Sequence, residues 1–311
     1  MKLTSLDLLP LFNQFIKVSQ KGKRTKYRGR MLSKGTIVQY QCVYQLLKTF
    51  EQRKQNALRV VLLKKYSFEV NKKEKKYWDQ FFYQFTTFLY KEKNCYDGYV
   101  CSVCKVLQTF FNYLKDEKHF PIGNFHKQFK VSSQQRTPII LEPIQLQFLI
   151  HDKAFEEALS HSLKRTKDIF VFGCTVGLRY SDLMRLRKEH LINAPSENYL
   201  LIHTKKTNTE VKIPLPHYLL SIIERYKKGS GSYLLPRLSS TNINLQVKQL
   251  MEKAGWTHRI PKIMYRQGKP IEIKTKNNQC QRFCDQVTSH TMRRTAITTL
   301  LTFGVSVNSG A

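Results

Sequence analysis

The sequence predicts two domains: an all-helical N-terminal domain over residues 1–130 and a mixed α+β domain over 139–311, joined by a linker at 131–138. Three observations carry this. First, 311 residues exceed the usual size of one domain. Second, the first 120 residues carry apolar side chains at helical spacing, while the later part adds alternating, strand-like runs. Third, Val131-Ser132-Ser133-Gln134-Gln135-Arg136-Thr137-Pro138 is polar and then proline-broken, as a connector between folded units is.

The helices of the first domain follow in order. Leu8, Leu11, Phe12 and Phe15 share one face of a helix over 5–20. A basic, glycine-containing link from Gln20 to Lys34 separates it from a second helix beginning near Thr36, whose stripe is Ile37, Tyr40, Val43, Tyr44, Leu47 and Phe50. A third, from Glu74 to Lys93, carries Trp78, Phe81, Phe82, Phe85, Phe88 and Leu89. Asp97 is read as the cap of a fourth, with Val100, Val103, Cys104, Leu107, Phe111 and Leu114 facing inward.

The second domain is expected to hold helices over 143–151, 164–174, 181–188, 216–227 and 242–254, and a final helix from Thr288. Tyr199–His203 and Glu210–Ile213 read as the two strands of a hairpin with Lys205-Lys206-Thr207-Asn208 at its tip. Ile271 and Ile273 alternate with Glu272 and Lys274, which suggests one more strand.

Charge dominates the composition. Lys and Arg number 53 against 22 Asp and Glu, a net +31, and the excess is spread over both halves. Such a charge repels itself and calls for a polyanion, with duplex DNA the natural partner. An RNA-binding protein is the rival; it would set its aromatics on exposed stacking surfaces, whereas these follow core spacing. No apolar run has the length of a membrane span, and the first residues lack the pattern of a signal peptide. A soluble, cytoplasmic protein is expected, with its seven cysteines reduced. Cys101-x-x-Cys104 could begin a zinc site with Cys280 and Cys284. The second pair has the wrong spacing and Cys104 falls on an apolar stripe, so buried thiol is the better reading.

Three segments could carry chemistry. Gly177-Leu178-Arg179 lies at a turn into a helix that Ser181 or Asp182 can cap, and the apolar run Phe170–Cys174 makes a rigid platform for Arg179. Lys205 and Lys206 sit at a supported hairpin tip, from which an ammonium can protonate a leaving alkoxide. His290 and Arg293 share one face at the start of a helix, where backbone N–H groups favour an anion. Ala296, Ile297, Leu300, Leu301 and Phe303 are expected to form that helix's buried face. Taken singly, each segment also reads as ordinary solvated surface; their joint order does not.

That order is Gly-Leu-Arg-x-Ser-Asp-Leu, a basic hairpin ending in Ile-Pro-Leu, then His-x-x-Arg-Arg-Thr. It resembles the tyrosine recombinases, the phage integrase family, here a site-specific integrase of a mobile element. The Gly35-Thr36-Ile37-x-x-Tyr40 and Leu47-x-x-Phe50 patterns resemble that family's core-binding domain, and Asn242-x-Asn244 to Gly255 also fits. The resemblance implies a SAM-like helical domain and a catalytic domain clamping duplex DNA, with strand cleavage and rejoining inside a synaptic tetramer of protomers in the bacterial cytoplasm, on the nucleoid. It implies catalytic roles for Arg179, Lys206, His290 and Arg293, with Lys205 second to Lys206, and no metal or other cofactor. The family's nucleophilic tyrosine follows the His-x-x-Arg helix, but here the last tyrosine is Tyr265. The expectation is therefore a catalytic domain incomplete before its nucleophile and inactive in strand cleavage. The alternative is a catalytically inactive DNA-binding remnant of a recombinase.

Overall fold

The computed structural model describes residues 4–26, 29–63, 68–135, 137–195, 197–205 and 209–304. Its contacts divide into two units, residues 1–135 with 263–271, and residues 136–262 with 272–311.

The first unit is built on helices α1 (Leu8–Gln20), α2 (Lys34–Lys54), α3 (Phe68–Lys91) and α4 (Asp97–Asn112). Short strands, absent from the sequence expectation, join them: β1 (Thr4–Asp7), β2 (Thr25–Lys26), β3 (Arg30–Met31) and β4 (Arg59–Leu62). β1 pairs antiparallel with β4, and β2 with β3. These segments are too short to show a period, so their pairing was invisible in the chain. The helices bury the faces their spacing sets. Leu8, Phe12 and Phe15 of α1 meet Tyr40, Val43, Leu47 and Phe50 of α2, and Trp78, Phe81, Phe85 and Phe88 of α3 join the same core. Ser33 caps α2 by accepting from Thr36 N at 3.2 Å. Trp78 meets Phe111 edge-on at 4.9 Å, and Phe50 meets Phe85 likewise at 5.2 Å. These rings fill a core instead of forming the exposed stacking face an RNA reader would need.

His126 is buried in this unit, stacked on Phe111 at 5.4 Å with Nε2 2.8 Å from Asn112 Oδ1. Burial, helped by Lys115 and Lys127, pushes its pKa down to about 4 from 6.5. The unfolded chain therefore takes up this proton first on acidification. The stabilisation is whole above pH ~6.5 and is lost as pH falls toward ~4, a loss of up to about 3 kcal/mol. Urea unfolding at pH 7 and 4.5 should show that loss, and His126→Gln should flatten the dependence. An equally steep dependence in the variant would refute the assignment.

The second unit contains α5 (Pro143–His151), α6 (Lys153–Ala158), α7 (His161–Val176), the single turn α8 (Tyr180–Leu183), α9 (His217–Tyr226), α10 (Ser240–Lys253), the short α11 (Phe283–Gln286) and α12 (Ser289–Thr302). An antiparallel sheet in the order β5 (Leu191–Asn193), β6 (Asn198–His203), β7 (Glu210–Pro214) lies among them, with Leu200 opposite Ile213 and His203 opposite Glu210. The helix expected over 181–188 is only the turn α8, because the chain then bends to bring Leu234 N onto Leu186 O. The core runs along α7, where Ile169, Phe170, Val171, Phe172 and Cys174 are all but inaccessible. Buried charges on α7 are paired, as they must be. Asp168 accepts from Arg225 and from Tyr226 OH, each at 2.8 Å, and Lys167 donates to Glu156 at 2.8 Å. A last antiparallel pair, β8 (Ile263–Arg266) and β9 (Lys269–Glu272), forms a hairpin that clusters with the first unit, although its sequence lies inside the second. β9 lies earlier than the strand expected around Ile271 and Ile273, because the turn at Gln267-Gly268 sets the register.

Among the described residues no helix is long and apolar enough to cross a membrane. All seven cysteines are thiols without disulfide partners, and Cys104 is buried.

Candidate functional site

α7 ends at Gly177, whose φ of +65° is a left-handed conformation that glycine adopts without strain. The chain turns there, buries Leu178, and enters α8 with Arg179 at the N-cap position. Neither Ser181 nor Asp182 caps that turn, contrary to expectation. The Asp182 carboxylate is buried, and its Oδ1 accepts from Lys205 N at 3.3 Å, which ties α8 to the base of the β6–β7 hairpin. Thr204 and Thr209 close the hairpin, N to O at 3.0 Å. Lys205 is exposed just beyond it. Lys206 lies outside the described residues, as do Thr207 and Asn208.

α12 begins after Thr288, whose N–H donates to Thr291 Oγ1 at 3.1 Å, while Ser289 N donates to Asn244 Oδ1 at 2.7 Å. The helix packs on α7 through Thr291, Met292, Thr295 and Ala296. The apolar set expected to be buried is corrected here. Of its members only Ala296 is buried, while Ile297, Leu300, Leu301 and Phe303 are exposed. The physical reason is that α7 meets the other face of α12, where Thr291, Met292, Thr295 and Ala296 lie, with Met292 seated on Gly173. A Cβ on Gly173 would come within 2.3 Å of Met292 Sδ, and one on Gly177 within 3.1 Å of Ala296 Cβ. The glycines of α7 let α12 approach this closely, and Ile297, Leu300 and Leu301 fall on the other side.

The close approach brings distant residues together. Arg293 Nη1 donates to Gly177 O across 116 positions. Burial lowers the Arg293 pKa, and the Arg179 guanidinium lowers it further, while Asp182 opposes both. His290, exposed at the start of α12, is also held below its usual value, by burial first and then by Arg294, Arg293 and Arg179. Arg179, His290 and Arg293 thus form one electropositive cluster next to a buried carboxylate. Such a cluster can hold a doubly liganded anion and keeps the imidazole neutral near pH 7, able to accept a proton.

Sequence reasoning missed the roles of Asp182 and of the Gly177 carbonyl. Asp182 follows Arg179 by three residues, which was a signal that both face one side of a turn; the carbonyl left no signal at all. Gly177→Ala should cost about 1–2 kcal/mol, from the left-handed φ and the Ala296 contact together. Chemical unfolding measures it, and a change within a few tenths would mean the helix crossing tolerates expansion.

A helical unit, a mixed unit with a small antiparallel sheet, and a cationic cluster where α7 and α12 cross define the class of protein. The chain belongs to the phage integrase family, whose sequence model matches residues 149–309, more than half of the 311. No curated protein matches it in sequence. Its fold is similar to that of a lambda integrase dimer bound to a COC′ core site, with 12% identity, 94% of this chain and 69% of that one covered, and a TM-score of 0.56. It is also similar to a lambda integrase tetramer bound to a Holliday junction (12% identity, 98% and 79% covered, TM-score 0.57). A third likeness is to the XerH site-specific recombinase bound to a palindromic difH substrate, in a post-cleavage complex (12% identity, 96% and 88% covered, TM-score 0.56).

Proposed function

We propose that this protein acts in site-specific DNA recombination, binding duplex DNA and directing strand exchange at a phosphodiester held by Arg179 and Arg293. What supports the reading is Arg293 Nη1 reaching the carbonyl of Gly177, two residues before Arg179, from the helix that begins with Ser289 and His290. Phosphoryl transfer gathers negative charge on the non-bridging oxygens, and two preorganised guanidiniums stabilise it without reorganisation. Lys206 is the proposed general acid for the departing 5′ oxygen, with Lys205 second, and His290 the group that assists proton transfer at the nucleophile.

The nucleophile in this reading is a tyrosine. Neither Tyr180 nor Tyr265 suits the role: Tyr180 OH donates to Leu238 O, and Tyr265 lies on β8, a strand grouped with the other unit. Duplex DNA and further protomers in a synaptic tetramer are the proposed partners; the structurally similar lambda integrase forms a tetramer on a Holliday junction. The proposed place of action is the bacterial cytoplasm, on the nucleoid.

A co-crystal with duplex DNA or with inorganic phosphate tests the site. Both guanidiniums are expected to contact one phosphate group. Density showing Arg179 and Arg293 on different phosphates, or on none, would overturn the reading.

A further inference from the structure

Asp97, the first residue of α4, is only 3% exposed. The sequence reading made it a helix cap, but it caps nothing: Tyr96 holds the N-cap position, and the Asp97 carboxylate turns away to the β8–β9 hairpin. Gln267 N donates to Oδ1 at 2.7 Å and Gly268 N to Oδ2 at 2.9 Å, across 170 and 171 positions. Both donors sit at positive φ, 52° and 75°, so the hairpin turn is of the type that points two successive N–H groups outward. Such a pair forms a small anion cradle, and Asp97 occupies it with one oxygen on each donor. Arg266 adds to the contact. Its guanidinium lies over the Tyr96 ring at 4.9 Å, and its Nη2 donates to Asn94 O at 3.0 Å. Burial, and after it the nearby Asp97 carboxylate, push the Tyr90 pKa up.

A buried carboxylate without partners is costly, and removing one side of such an arrangement leaves the other unsatisfied. The two backbone donors to Asp97 in this core are supplied by chain that enters at Ile263 and leaves after Ile271. We propose that the β8–β9 hairpin is a strap. It completes the N-terminal unit from a distant part of the sequence, latches there through the Asp97 carboxylate, and keeps both halves of the chain associated independently of the 131–138 linker.

The test uses the full chain with a site-specific protease sequence placed within 132–135. After cleavage, in high salt and without DNA, the two fragments of the otherwise unchanged protein are expected to co-elute on size exclusion. Asp97→Ala should make them separate. Arg266→Ala, which leaves every residue of 1–135 intact, should speed hydrogen exchange at Gln267 and Gly268 by about tenfold in the uncut protein. The Arg266 variant keeps the test valid should Asp97→Ala disturb α4 itself. Separation of the unsubstituted fragments, unchanged co-elution of a folded Asp97→Ala protein, or unaltered exchange in Arg266→Ala overturns the strap.

Discussion

Raising the salt concentration from about 50 to about 200 mM is expected to weaken binding to duplex DNA by roughly 10³-fold or more. The reason is the +31 net charge carried by both halves of the chain. Each phosphate neutralised releases condensed counterions, so affinity falls with a steep power of salt when six or more phosphates are contacted. Because the excess is not confined to one tail, the slope should also be nearly independent of DNA sequence. Fluorescence anisotropy over a salt series measures it directly. A slope near zero would mean the charge is satisfied elsewhere, and the proposed nucleic-acid partner would be wrong.

The second large effect concerns covalent chemistry. Neither Tyr180 nor Tyr265 is expected to become joined to a suicide DNA substrate, because Tyr180 OH is held by Leu238 O and Tyr265 lies on β8, a strand grouped with the other unit. Cations lower the barrier only for a nucleophile already in line with the leaving oxygen. In a polypeptide that also supplies a tyrosine after Arg293, an adduct should form, and Arg179→Ala should reduce it by about 10²-fold or more. Denaturing gels with labelled DNA read both outcomes. An adduct from residues 1–311 alone would return Tyr180 and Tyr265 to consideration as nucleophiles.

Much of the helical architecture was legible because it is local. Tyr40, Val43, Leu47 and Phe50 repeat at the helical period, and one face of α2 buries them. Pro143 opens α5 where a proline at the first turn predicts it. The β6–β7 hairpin was legible from two short alternating runs about a polar tip. The β1–β4 ladder was not, because it pairs residues more than fifty apart with nothing local to mark them. α12 misled for a different reason. Ile297, Leu300 and Leu301 look like a buried face by hydrophobicity, but α7 meets the opposite face, so Thr291, Met292, Thr295 and Ala296 went inward.

The sequence by itself determined most of the helices, the charge, and the order of the motifs that mark the family, since periodicity, composition and motif order are properties of the chain as written. Only the tertiary structure decided which distant groups meet. It set Arg293 on the Gly177 carbonyl, turned Asp182 toward Lys205 instead of its own helix, and gave Asp97 the hairpin turn as its partner. Asp97 and Asp182 each had a local option, capping their own helix, and a distant one. Packing chose between them, because a carboxylate or guanidinium withdrawn from water takes whichever partner the closed core brings within reach.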